Sequence, residues 1–250
     1  GNDNTSLGLN SLSANTASNR NTAIGSATLQ SFNVTTDTHT YNTAVGYGAG
    51  NVVTTGVQNV LVGGLAGDAL TDADYNIAVG ISALGADTLG SRSVALGSFV
   101  LQNQNFTTAT DSYNTAVGYG AASEVTTGIR NTIIGGAAGD ALTDADYNVV
   151  VGMGALGADT KGSKSIAIGV DSLASQNFTT ATDSHNTAVG YSAGLRVTTG
   201  VENTIIGGSA GDALTNSDGN VAVGAFALSS DTLGARSVSV GHGALLTQNF

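Results

Sequence analysis

Polar, β-branched, small, β-branched, glycine: this order of side chains recurs, with small variations, fourteen times along the chain. Asn42-Thr43-Ala44-Val45-Gly46 is one copy and Asn76-Ile77-Ala78-Val79-Gly80 another. Position one is Asn in eleven copies and Ser in three, at Ser93, Ser165 and Ser237. Position two is Thr, Val or Ile, position four is Val, Ile or Leu, and position five is always Gly. Alternation with a period of two is the pattern of a short strand with two unlike faces, and no apolar stripe persists at the 3.6-residue period of a helix. The density of glycine and β-branched residues also argues against a helix.

The closing glycines keep one of two spacings from Gly8 to Gly241, the shorter from Gly46 to Gly63 to Gly80 and the longer from Gly97 to Gly118. A fixed period in this range marks a stacked architecture in which each unit is stable only against its neighbours. The pattern predicts an all-β fold: a parallel β-solenoid of about 14 coils of 17 or 21 residues, one continuous repeat domain over residues 1–250. Three residues after the glycine a second apolar pair follows, as at Ala83-Leu84, Val100-Leu101 and Ala155-Leu156, and predicts a second short strand beyond a glycine corner. The coils group into 72-residue super-repeats over 42–113, 114–185 and, incompletely, 186–250. Four return loops differ within each super-repeat, so surface chemistry recurs once in four coils.

Composition narrows the classes. The chain has 36 Gly, no Pro, no Cys and no Trp, with 41% hydrophobic and 10% charged residues, a balance unlike that of disordered chains. A formal net charge of −11 without a Lys/Arg cluster argues against nucleic acid and anionic membranes as partners. No apolar run approaches the ~20 residues of a membrane-spanning helix. Both ends fall within a coil, so the sequence reads as an excerpt of a longer repetitive protein.

Two columns follow from stacking the phrases. Asn at position one is expected to pass side-chain amide hydrogen bonds from coil to coil, interrupted at each Ser. The residue just before the phrase runs Tyr75, Arg92, Tyr113, Arg130, Tyr147, Lys164, which sets a cation beside an aromatic face one coil away.

Ser93-Val94-Ala95-Leu96-Gly97 and Ser165-Ile166-Ala167-Ile168-Gly169 resemble the head repeats of YadA-like trimeric autotransporter adhesins, and Asn-Thr-Ala-Val-Gly-Tyr resembles repeats of phage tail fibres. The resemblance runs through the whole chain. It implies a left-handed β-roll, three chains about a common axis, and display outside the cell, on a cell surface or a virion fibre. The coils here are longer than those usual in the family, so the return loops are enlarged. A coil of this size also has too little interior to bury all its Val, Ile and Leu. The small third-position residues Ala44, Ala78, Ala95 and Ala116 are expected to let a second chain approach, giving a homotrimer.

Candidate chemistry lies in the loops. Asp68, Asp72 and Asp74, repeated as Asp140, Asp144 and Asp146, offer carboxylate oxygens at a spacing open to Ca²⁺, or else cap backbone amides in a solvated turn. Asn33, Asn105 and Asn177 begin Asn-x-Thr sequons at the same place in the long loop, a glycan row or a Thr-rich turn. The histidines His39, His185 and His242 are scattered, with no recurring nucleophile–base–acid set, and the chain reads as no enzyme and as needing no cofactor. The expected role is an extracellular attachment segment, the stalk or head of an adhesin or tail fibre, holding a host-surface glycan or matrix ligand multivalently. A purely structural, glycosylated filament without a receptor is the alternative.

Overall fold

A computed structural model describes all residues, 1–250. The chain is all-β and forms a parallel β-solenoid of about fourteen turns, one for each phrase. Two compact units, residues 1–127 and 128–250, each carry seven of them.

In the first unit the ladder runs through Thr5–Leu7, Thr22–Ile24, Thr43–Val45, Val60–Val62, Ile77–Val79, Val94–Leu96 and Thr115–Val117. In the second it runs through Thr132–Ile134, Val149–Val151, Ile166–Ile168, Thr187–Val189, Thr204–Ile206, Val221–Val223 and Val238–Val240. Pairing is in phase with the phrase, Thr43 opposite Val60 and Val60 opposite Ile77. The turns are therefore stacked position upon position, which a period-2 register enforces because a one-residue slip would turn every side chain over.

The phrase glycine stands where the strand ends and a left-handed backbone begins. At Gly46, φ is +133°, and a Cβ would lie 2.4 Å from the Gly63 carbonyl oxygen. Both the angle and the crowding require glycine.

Beyond the glycine the fold departs from expectation. The pair Ala83-Leu84 and its counterparts form turns, not a second strand. Ser82 and Leu84 have φ of 51° and 55°, so left-handed residues alternate with ordinary ones, a conformation no strand sustains. The alternation turns successive amides in opposite directions along the stack. Ser82 donates to Gly64 O one turn back and Leu84 to Val100 O one turn ahead, both at 3.0 Å. Short second ladders occur in the long loops instead, Gly90–Ser91 with Thr110–Asp111 and Gly162–Ser163 with Thr182–Asp183.

The interior is narrow, and its residues trade volume across it. Position three of the phrase faces Leu, Ala or Gly four residues after the phrase glycine. Ala78 goes with Leu84 and Ala95 with Leu101, all buried. Leu61 goes with Gly67, and Ile205 with Gly211. A Cβ on Gly67 would lie 2.7 Å from Leu61 Cδ2, so the larger residue can stand on one side only.

This packing corrects the expected role of the small column. Ala44, Ala78, Ala95 and Ala116 point into the coil and are at most 1% exposed. The outward residues are those at positions two and four. The strand face was reversed because alternation alone does not say which half of it is inside. Position three is buried whatever residue faces it: Ala78 and Ala95 lie with Leu84 and Leu101, Val150 with Leu156, and Ala44 and Ala116 with Gly50 and Ala122.

Candidate functional site

The outer face of each ladder is partly exposed. Ile24, Ile77 and Val79 in the first unit, and Ile134, Ile166, Ile168 and Ile206 in the second, are each 36–40% exposed. Every residue at positions two and four of the fourteen strands is Thr, Val, Ile or Leu. Each unit thus presents a sheet face without a charge, although the chain carries −11. Thr holds seven of the fourteen second positions and Val or Ile the rest, so the face is uncharged and apolar with hydroxyls interspersed.

The acidic loops place their carboxylates against the neighbouring turn. Asp74 Oδ1 accepts the Val57 amide at 2.7 Å, and Asp146 Oδ1 accepts that of Ile129 at 2.7 Å. Asp72 accepts the Thr55 hydroxyl. Asp144 accepts the hydroxyl of Thr143 at 3.1 Å and lies 3.5 Å from Lys161 Nζ. Asp68 is half-buried, and burial pushes its carboxyl above the usual range against the pull of its own backbone amide. Asp140 holds the equivalent place and lies close to Gly157. No three Asp, Glu or His side chains converge on one point. Asp72, Asp74 and Asp146 fasten one turn to the next.

The three sequons differ in presentation. Asn105 and Asn177 are exposed, and each accepts a hydroxyl hydrogen bond on Oδ1, from Thr88 at 3.1 Å and Thr160 at 3.5 Å. Asn33 is half-buried and accepts both the amide of Thr16 at 3.2 Å and its hydroxyl at 2.7 Å.

The aromatic–cation column forms in part, around Arg92 and Arg130. Arg92 lies 5.0 Å from the Tyr75 ring centre and 5.8 Å from that of Tyr113, and Arg130 lies 5.3 Å from Tyr147. Arg92 also pairs with Asp111, and Lys164 with Asp183 at 2.5 Å. All of these are solvent-exposed groups.

The Asn column carries the expected amide-to-amide bonds, as from Asn59 Nδ2 to Asn42 Oδ1 at 3.3 Å and from Asn220 Nδ2 to Asn203 Oδ1 at 3.2 Å, beside shorter bonds to the backbone. Asn42 Oδ1 accepts the backbone amide of Asn59, and Asn59 Oδ1 that of Asn76, both at 2.9 Å. Asn42, Asn59 and Asn76 also reach with Nδ2 to a carbonyl of the loop that follows, Asn59 to Ala73 O at 2.8 Å. The column is thus chiefly side chain to backbone.

Where Ser replaces Asn, a buried polar cluster takes over that the phrase alone did not reveal. Gln104 Nε2 donates to Ser93 Oγ at 2.9 Å and to Asp87 Oδ2 at 2.6 Å, while its Oε1 accepts from Asn114 Nδ2 at 2.8 Å. Asp87 Oδ1 accepts the amides of Gly90 and Phe106 at 3.0 and 3.1 Å. Ser93 and Ser112 share a hydroxyl bond of 2.5 Å. Asp87, Ser93 and Gln104 are fully buried, and burial pushes the Asp87 carboxyl upward more than its hydrogen bonds pull it down. Gln176 repeats the arrangement with Asp159, Ser165 and Asn186. For Asp231 burial again pushes upward, but bonds from Gln248 and the Gly234 and Phe250 amides outweigh it, and that carboxyl lies below its usual value. The signal was in the sequence: Asp87, Ser93 and Gln104 change together and recur one super-repeat later as Asp159, Ser165 and Gln176.

No pocket opens in the single chain. No family model matches the chain, and no curated protein or solved structure matches it.

Proposed function

We propose that the chain is a segment of an extracellular fibre in which three copies associate through their outer strand faces and display the return loops for attachment to a surface. The observation that supports this reading is the unbroken run of Thr, Val, Ile and Leu at positions two and four. Burying that face removes apolar area worth about 25 cal/mol per Å² from water. A second copy of the same chain suits it best, because a face without charge is where chains of −11 each can meet without confronting their carboxylates. The resemblance to adhesin head repeats points the same way, toward a left-handed roll and a trimer.

Attachment then follows from repetition. Loops of one type recur once per super-repeat and three times over in a trimer, so weak individual contacts to a host-surface glycan or matrix polymer add by effective concentration. Native mass spectrometry of the purified chain tests the assembly, with three times the 24.5 kDa chain mass expected and a single-chain mass at all concentrations contrary to it. Binding of the assembled form to immobilised glycans, lost on dissociation, tests attachment. A trimer that binds no surface would leave a purely structural filament.

A further inference from the structure

We propose that Asn105 and Asn177 are sites of N-linked glycosylation. The two sequons, Asn105-Phe106-Thr107 and Asn177-Phe178-Thr179, sit in the long return loops. Residues along them alternate in and out. Gln104 and Phe106 are buried while Asn105 and Thr107 are exposed, and Gln176, Phe178, Asn177 and Thr179 repeat the arrangement. The buried Phe anchors the tripeptide from its middle, so the two residues that a glycosyltransferase reads stand together on the outer side.

The hydrogen bonding leaves the acceptor nitrogen free. Oδ1 of Asn105 takes the Thr88 hydroxyl, and Oδ1 of Asn177 takes that of Thr160. Neither Nδ2 donates to the protein. In the loops around them, by contrast, Asn103 Nδ2 is held by Glu124 and Asn114 Nδ2 by Gln104. The Thr88 and Thr160 hydroxyls make their shorter bonds to Phe106 O and Phe178 O, both at 2.8 Å, so each exposed carboxamide is only weakly tethered and its nitrogen is not tied to the protein. Asn33 is not part of the proposal: it is half-buried, and its oxygen accepts both the amide and the hydroxyl of Thr16.

The donor required is a polyprenyl-diphosphate-linked oligosaccharide with its transferase. Nδ2 forms a bond to the anomeric carbon and loses one proton to the transferase base. The bond from that carbon to the diphosphate oxygen breaks, and lipid diphosphate leaves. No oxidation or reduction is involved. The product is one bulky, neutral or charged sugar chain per super-repeat, on the face of the coil that carries the long loop.

The test is glycopeptide mass spectrometry on the protein isolated from the cells that make it. Trypsin places the two sites on separate peptides, 93–130 and 165–196. Both peptides are expected to carry sugar, with fragmentation locating it on Asn105 and Asn177. Thr107→Ala and Thr179→Ala should abolish it while leaving each Asn in place, and Thr107→Ser and Thr179→Ser should retain it. Unmodified peptides, or sugar on threonine hydroxyls, would overturn the proposal. The result is independent of the assembly reading, since unglycosylated protein made without a transferase still reports its own oligomeric state.

Discussion

Two long coils of the first unit, residues 21–41 and 93–113, solve the same stacking problem with different residues. In the earlier coil Asn21 begins the phrase and Phe32 fills the interior; in the later, Ser93 and Gln104 hold those places. Asn21 Oδ1 accepts the Asn42 amide at 2.9 Å and the Thr40 hydroxyl at 2.8 Å, so the column continues and the interior stays apolar. Ser93 has no side-chain carbonyl to offer. The Asn114 amide makes a long 3.5 Å contact to Ser112 Oγ, and Gln104 crosses the interior to take the Asn114 side chain. Asp87 then absorbs the second Gln104 proton. The comparison teaches that Asp, Ser and Gln form one unit, exchangeable only as a set. A partly satisfied network is worse than an apolar core.

The largest effect should come from breaking the set. Gln104→Ala removes the partner that Asp87, Ser93 and Asn114 share, and is expected to destabilise the chain by about 3–5 kcal/mol in chemical denaturation. The combined replacement Asp87→Asn, Ser93→Asn, Gln104→Phe copies the earlier coils, where Asn15 Oδ1 accepts the Ser18 amide as Asp87 accepts that of Gly90. It should recover most of the loss. A triple variant no more stable than Gln104→Ala would refute the exchange.

Volume trading gives the next effect. Leu61→Ala should cost about 2–5 kcal/mol through the cavity it opens, and Gly67→Leu alone about 1–3 kcal/mol through overpacking. Together they approach the pairing of Ala78 with Leu84, at a site whose φ of 56° matches the 55° of Leu84, although Leu70 Cδ1, 2.8 Å from the same Cβ, must still give way. The double variant should therefore be more stable than the sum of the single losses implies. Strict additivity in the mutant cycle would contradict the packing account.

A smaller effect depends on pH. Burial raises the Asp87 carboxyl above its unfolded value, so its contribution is fully present below the unfolded pKa and is lost as pH rises through the folded one. The stability of the wild type relative to Asp87→Asn should therefore fall as pH rises past the ordinary aspartate range of about 3.9 and through the raised folded value. A flat difference would deny the burial effect. Smallest of all is Arg92→Ala in the exposed stack between Tyr75 and Tyr113, where any loss should vanish with added salt.

The contrast between these parts also explains what could be read from the chain. The ladder was legible because Val, Ile and Thr at positions two and four and Gly at five leave one register. The direction of its faces was not, since Ala78 between Ile77 and Val79 alternates equally well either way. The fold buries Ala78 beside Leu84, further along the chain and across the coil from it. The expected second strand failed for a related reason. Ala83-Leu84 looks apolar and extended, but Ser82 and Leu84 take left-handed angles that composition does not announce. Gln104 was hidden by its distance along the chain from Ser93, the residue it serves. Only its recurrence with Ser165 and Gln176 could have exposed it.

Sedimentation of the wild type beside Ile77→Lys/Val79→Glu tests the central claim most directly. The substitutions place charges on the outer face and leave the buried Ala78 and its stacking untouched. A trimer for the wild type and a folded monomer for the variant is the result expected. A wild type that sediments as one chain, or a variant that remains trimeric, would contradict assembly through this face.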